Sequence, residues 1–240
     1  QKAQEFNQDL CSWDVSNVTN MSNIFQYAND LEADVSCWDV SSVTNMNNMF
    51  YNASEMNFGE GMSSWDVSNV TTMAATFHVT SINQDLSSWD VSSVTNMGYL
   101  FSHCQQLNQD LSSWDVSNVT NMHSMFYGAH NFNSDISNWD VSNVTTMHQM
   151  FRDAHDFNQD LPDWNVSSVT DLGRLFENAF IFNQDLSSWD VSSVTNMHKT
   201  FQKAQEFNQD LCSWDVSNVT NMSNIFQYAN DLEADVSCWD

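Results

Sequence analysis

Apolar residues recur along this chain as a fixed phrase rather than in one sustained helical or strand period. In the first phrase they are Leu10, Trp13, Val15, Val18, Met21, Ile24, Phe25, Ala28 and Leu31, and the series then begins again. Ten tryptophans mark the restarts, from Trp13 to Trp239, at spacings of 25, 27, 24 and thereafter 25 residues. The phrase reads F-N-Q-D-L-S-S-W-D-V-S-x-V-T-N-M-x-x-M-F-x-x-A-x-x. Self-similarity at such a period points to units that cannot bury an apolar edge alone and do so by stacking on their neighbours.

Two elements are expected in each unit. L-x-x-W-x-V-x-x-V has the spacing of a leucine-rich repeat, with Val18 at the position usually held by Asn. It predicts a short parallel strand in which Trp13 and Val15 face inward and Asp14 faces out. Met21, Ile24, Phe25 and Ala28 then stand at i, i+3, i+4 and i+7, which predicts a short helix or 3₁₀ segment capped by Thr19. A helix of that length is held only by packing. The fold class expected is an α/β repeat solenoid, leucine-rich-repeat-like, with about nine to ten stacked coils. Residues 1–240 form one continuous solenoid domain in this reading.

Residues 1–39 return letter for letter as residues 202–240, a super-repeat of 201 residues that spans eight coils. The sequence is therefore expected to be a window of a longer array. Two substitutions agree with the register. Pro162 lies two residues before Trp164, where the strand reading needs no amide, and Cys104 takes the Ala28 slot as a small buried residue.

The phrase resembles the "FNQDLSSWDVSNVTNMSxMFxxA" repeat of bacterial and algal surface proteins and lipoproteins, known from Mycoplasma and Listeria and related to BspA-like leucine-rich repeats. The likeness covers essentially the whole chain, departing at 54–65 and 77–86. It implies a surface-exposed or secreted solenoid, and it brings no catalytic residues.

Charge narrows the partners. Five Lys+Arg stand against 31 Asp+Glu, a formal net charge of −26. Such a surface repels nucleic acid and anionic membranes and attracts cations and basic surfaces. No apolar run is long enough for a membrane span, so no direct membrane insertion is expected.

Stacking turns each outward slot into a ladder with steps of about 4.8 Å. One ladder is Asp14, Asp39, Asp66, Asp90, Asp115, Asp140, Asn165, Asp190, Asp215 and Asp240. Neighbouring carboxylates at that distance repel by roughly 0.9 kcal/mol in a water-like dielectric. Hydrogen bonds from serines such as Ser12 and Ser16, or Ca²⁺ held on Asp14, Asp39, Asp66, Asp90, Asp115, Asp140, Asp190 and Asp215, would relieve it. A second ladder is Asp9, Asp34, Asp85, Asp110, Asp135, Asp160, Asp185, Asp210 and Asp235, where Asp before Leu or its equivalent is expected to bond nearby amides in a turn.

Cys11 and Cys37 lie in adjacent coils, one residue out of register, which puts their Cα atoms roughly 6 Å apart, within disulfide range. The pair recurs as Cys212 and Cys238. Disulfides Cys11–Cys37 and Cys212–Cys238 are expected, with an oxidising, extracellular or cell-surface setting. Sequons at Asn17, Asn20, Asn52, Asn69, Asn118, Asn143, Asn165, Asn218 and Asn221 are glycosylation candidates. His123 and His148 share a slot in consecutive coils, as do His130 and His155, and solvated surface histidines explain them better than a two-ligand zinc site. The Met and Trp columns read as core.

None of the common catalytic motifs occurs, and nearly every coil offers the same groups, so a non-enzyme is expected. The leading function is an extracellular structural protein whose repeats build a surface filament, with copies of itself end to end or laterally as partners. The alternative is an adhesin that uses an acidic concave face for a glycan, a basic protein or a Ca²⁺-dependent contact. Its most individual features are the bulge at 57–61 and the basic group Arg152, Arg174, Lys199 and Lys203.

Overall fold

A computed structural model describes residues 10–29, 34–54, 56, 58–59, 61–233 and 237–239. Successive repeats lie one on the next, numbered here as coils 1 to 10 by their tryptophans. Parallel bridges join each coil to its neighbour in an unbroken series, Asn20 to Asn45, then Thr72, Asn96, Asn121, Thr146, Asp171, Asn196 and Asn221. The ladder thus runs through the residue after the threonine, five residues beyond the Trp-x-Val stretch expected to be the paired strand.

From that bridge onward the backbone forms a ribbon of overlapping turns, and its hydrogen bonds can be followed completely. In coil 1 the amides of Met21, Asn23, Phe25 and Tyr27 donate forward to the carbonyls of Asn45, Asn47, Met49 and Tyr51 in coil 2, at 2.8–3.0 Å. The alternate amides of Ile24, Gln26 and Ala28 donate back three residues, to Met21, Asn23 and Phe25. The same division recurs in later coils, with Met97, Tyr99, Phe101 and His103 donating to Asn121, His123, Met125 and Tyr127. Every second amide therefore serves the stack and the rest serve the turns.

This ribbon replaces the expected helix. Among the described residues no α-helix occurs, and the single helical turn is the 3₁₀ segment Gly61–Ser64. A helix would keep its amides within one coil, whereas the ribbon spends half of them on the neighbouring coil and so ties the units together. Its turns demand a left-handed residue at the third position, and two occur per coil, four residues apart: Asn23 and Tyr27, Asn48 and Asn52, Ala75 and Val79, through to Asn224 and Tyr228. Gly128 fills one such slot at φ +70°, and there a Cβ would also meet His103 Nδ1 at 2.5 Å.

Thr19 and its equivalents are not helix caps. Both the amide and the hydroxyl of Thr44 donate to the Thr19 carbonyl at 2.8 and 3.1 Å, and Thr71, Thr95, Thr120, Thr145, Thr170, Thr195 and Thr220 repeat the hydroxyl bond. Pro162 likewise needs a different account. In other coils that slot's amide, such as Ser112 or Ser187, donates to the preceding Asp carboxylate, and Pro162 has no N–H to give Asp160.

The core is one continuous cluster of Leu, Trp, Val, Met and Phe slots. A phenylalanine column, Phe25, Phe50, Phe77, Phe101, Phe126, Phe151, Phe176, Phe201 and Phe226, runs through it with ring centroids 5.6–5.9 Å apart. Buried indoles need an acceptor. Trp38, Trp89, Trp114, Trp139, Trp164, Trp189, Trp214 and Trp239 each donate Nε1 to the carbonyl of an apolar residue in the preceding coil, at 2.8–3.3 Å. Trp65 in the irregular third coil has a buried Nε1 with no such partner. Trp13 in coil 1 is 50% exposed and Trp38 in coil 2 is 4% exposed.

Candidate binding face

Most outward slots are occupied by groups already bonded within their coil or to the next one. In the Asp14 column each carboxylate accepts the amide of the serine two residues on, and in several coils its hydroxyl at 2.6 Å: Ser16 on Asp14, Ser41 on Asp39, Ser68 on Asp66 and Ser92 on Asp90. The serine hydroxyl and then the serine amide hold Asp14, Asp39, Asp66, Asp115, Asp140, Asp190 and Asp215 below the ordinary carboxylate range. Repulsion from the neighbouring aspartate is a lesser, opposing effect at Asp39 and Asp66. Among the described residues no three His, Cys, Asp or Glu side chains gather as a metal cluster. Asp240 lies outside the described residues.

The second acidic ladder is a set of turns. Asp34, Asp85, Asp110, Asp135, Asp185 and Asp210 each accept the amide two residues on, at 2.8–2.9 Å. Asp9 and Asp235 lie outside the described residues. Next to it an asparagine ladder carries stacking bonds: the side-chain oxygens of Asn83, Asn108, Asn133, Asn158, Asn183 and Asn208 accept an amide from the following coil.

Both disulfides are present. Cys11–Cys37 and Cys212–Cys238 bridge adjacent coils with Cα atoms 5.6 and 5.5 Å apart. Cys104 is free and buried, bonded to the Phe77 carbonyl and to Thr80, and burial pushes its thiol up to about 12. Of the sequon asparagines, Asn69, Asn118, Asn143 and Asn218 are exposed but already use Nδ2, the atom a glycan would occupy, to donate to a serine carbonyl one coil back. Asn20 and Asn221 stand in the bridge column, Asn52 is left-handed, Asn165 occupies the Asp slot, and Asn17 is exposed.

One strip differs from all of this. On the turn ribbon, slots 22, 23, 26 and 27 of coil 1 and their equivalents change from coil to coil. All five tyrosines stand there, as Tyr27, Tyr51, Tyr99, Tyr127 and Tyr228. So do His78, His103, His123, His148 and His198, and the basic residues Arg152, Arg174, Lys199 and Lys203, four of the chain's five Lys+Arg. The ribbon's recurring stacking bonds are backbone, and side chains add others only in particular coils, such as Asn47 Oδ1 accepting the Ala74 amide, so these slots can vary.

The rings touch in a continuous track along the stack. Tyr27 meets Tyr51 at 5.5 Å, Tyr51 stacks on His78 at 4.5 Å, and His78 meets Tyr99 and His103 at 6.1 and 5.8 Å. One branch continues from Tyr99 through a 2.7 Å hydroxyl contact to His123 Nε2, then to stacked His148 at 5.1 Å and on to Asp171 at 3.2 Å. The other runs from His103 to Tyr127 at 4.4 Å, over whose ring the Arg152 guanidinium lies at 4.9 Å. Burial and the charge of His103 lower His78 to about 4, so it is neutral at pH 7. His130 and His155 stack at 4.4 Å on a neighbouring slot without a further ligand group among the described residues.

The second branch ends in an ionic cluster. Glu177, with 7% of its side chain exposed, lies 3.0 Å from Arg152 Nε, 3.4 Å from Arg174 and 3.9 Å from Lys199. The Arg152 contact is an ion pair whose geometry falls short of a hydrogen bond. Beside the track a shallow pocket of about 250 Å³ is lined by Ser54, Val79, Thr80, Ser81, His103, Gln105 and Gln106.

Sequence reading singled out the basic group and the His123–His148 pair but not the strip that unites them, and the His130–His155 pair lies beside it. The signal was available as the set of slots that fail to repeat. A family model described as "Mycoplasma protein of unknown function, DUF285" matches the chain four times, over residues 1–78, 54–164, 109–194 and 156–240. No curated protein matches the chain.

Proposed function

The chain belongs to the Mycoplasma DUF285 family, and from that premise we propose that it is a non-enzymatic, extracellular structural protein whose coils form a solenoid and build a surface filament, with copies of itself as partners. The observation that carries this reading is the direction of the ribbon's bonds, which is the same from coil to coil. Ribbon amides at 21, 23, 25 and 27 point forward along the stack and carbonyls at 45, 47, 49 and 51 receive them. Each coil therefore presents amides on one side and carbonyls on the other, and coils of separate copies can continue one another with the bonds already used inside. Disulfide-stapled coils and a −26 charge suit an oxidising cell surface. A relation to BspA-like leucine-rich repeats is part of what the resemblance of the phrase implies.

Cryo-electron microscopy of the native protein tests the filament. Rods with an axial repeat of about 4.8 Å are expected; only short discrete particles, at every concentration, would defeat it. A second reading, an adhesin or binding module, is favoured by the strip of Tyr, His, Arg and Lys. It moves the contact from the acidic ladder, whose carboxylates serve their own serines, to the slots that vary. Glycan or Ca²⁺-dependent adhesion that survives simultaneous alanine replacement of Tyr99, Tyr127 and Arg152 would exclude the strip.

A further inference from the structure

We propose that the cationic cluster Arg152, Arg174, Lys199 and Lys203 is a lateral docking site for the Asp14-column carboxylate ladder of a second copy of this chain. The inference deepens the reading that copies associate, and it concerns the sides of the stack rather than its ends.

Charge selects the partner surface. With 31 acidic residues against five basic ones, two copies that approach by almost any pair of faces bring carboxylates together, which costs free energy and slows encounter. The described exception is the stretch of ribbon over coils 6 to 8. There the nearly buried Glu177 gathers Arg152, Arg174 and Lys199 around one carboxylate. Asp153, 3.7 Å from Arg152 Nε, is a second carboxylate there, so three cations face two anions and a small excess of positive charge remains, while the cluster holds its members in place before any partner arrives. Side chains of Arg152, Arg174 and Lys199 remain 23%, 27% and 24% exposed, and an arginine fork has donors to spare beyond a single contact. Lys203, exposed on the adjacent slot, extends the cluster.

Register selects the ladder. Arg174 and Lys199 occupy the same slot in consecutive coils, 25 residues apart, as do Asp115 and Asp140. Both rows inherit the same axial step because both are built on the same stack, so two copies lying side by side match Arg174 and Lys199 to carboxylates of two consecutive coils. The Asp side chains are exposed and oriented by Ser bonds, so the ladder too is set before contact. Donor and acceptor rows are different surfaces of one chain. Such a heterologous contact does not close on itself and generates sheets or bundles.

The test uses sedimentation of the full chain together with carbodiimide cross-linking of a mixture of isotope-labelled and unlabelled protein. Association that weakens about tenfold or more between low salt and about 0.5 M salt is expected, with intermolecular links from Lys199 or Lys203 to aspartates of the Asp14 column. The double variant Lys199→Glu with Lys203→Glu should abolish it, and mixing that variant with Asp115→Lys plus Asp140→Lys should restore it, which a misfolded variant could not do. The proposal is overturned by a chain that stays monomeric at low salt, by links that map elsewhere, by undiminished association of the double variant, or by capture of a sulfated polysaccharide without self-association. End-to-end stacking is read separately, as particle length rather than width in micrographs.

Discussion

Two outward surfaces of the same coil follow opposite rules. On the Asp–Thr–Asn side, nearly every coil repeats the same side chains because each one closes a recurring hydrogen bond, within the coil for Asp115 accepting the Ser117 amide and between coils for Thr145 donating to the Thr120 carbonyl or Asn158 accepting the Asn183 amide. On the turn ribbon the recurring bonds between coils are backbone to backbone, and Tyr, His, Arg and Lys replace one another from coil to coil. Repetition thus marks architecture and variation marks the surface that is free to take on a partner.

The widest separation between the two is expected in stability. Trp139→Ala removes a buried ring that stacks on Trp114 and donates to Leu111, and should cost about 3–5 kcal/mol in chemical denaturation. Tyr99→Ala on the ribbon, 40% exposed, should cost about 1 kcal/mol or less. Equal losses would erase the distinction.

Reduction comes next. Opening Cys11–Cys37 and Cys212–Cys238, each closing a separation of 26 residues, should lower stability by about 3 kcal/mol per bridge where the stapled coils unfold with the whole. Calorimetry with and without reductant measures it, and intact mass after alkylation should show Cys104 unmodified until the protein unfolds.

Acid separates the faces by a smaller amount. His78 has a folded pKa of about 4, below the ordinary 6.5, through burial and then His103. Unfolded chain binds its proton first, so its stabilising contribution is complete above pH 6.5 and is lost as pH falls towards 4. The Asp column, lowered below 3.8 by serine bonds, loses its contribution only below that value. The melting temperature should decline across pH 6.5 to 4 less steeply in His78→Asn; an unchanged slope would remove the ribbon from the acid response.

The least effect has the opposite sign. Val79 is β-branched and left-handed at φ 54°, a conformation costly for such a side chain. Val79→Gly should stabilise by about 1 kcal/mol, whereas a neutral or destabilising result in thermal denaturation would show that its packing outweighs the backbone.

Period, core columns, the 39-residue identity and both disulfides were legible in the sequence, because each follows from spacing alone. The ribbon was not. Met122, Met125, Phe126 and Ala129 are all buried, the pattern a helix would give, and the left-handed slots that betray a turn hold Asn, Tyr, Ser or Lys far more often than Gly. Only the destination of the amides separates the two, and no side chain records it. Thr19 was misassigned for the same reason: a hydroxyl beside an apolar run suits a cap or a cross-coil bond equally well. Serine relief of the Asp column could be foreseen as one option among several, since Asp-x-Ser places donor and acceptor two residues apart in every coil.

Among the tryptophans, Trp164, Trp189, Trp214 and Trp239 lie in a row, ring to ring at 6.2–6.5 Å and within 7° of parallel. Indoles so close and so nearly aligned share their electronic excitation. The molecule therefore carries its own optical gauge: near-ultraviolet circular dichroism of the coupled rings reports how many neighbouring coils remain in contact, and peeling a single coil away would shorten the chromophore before it altered the fluorescence of any one tryptophan.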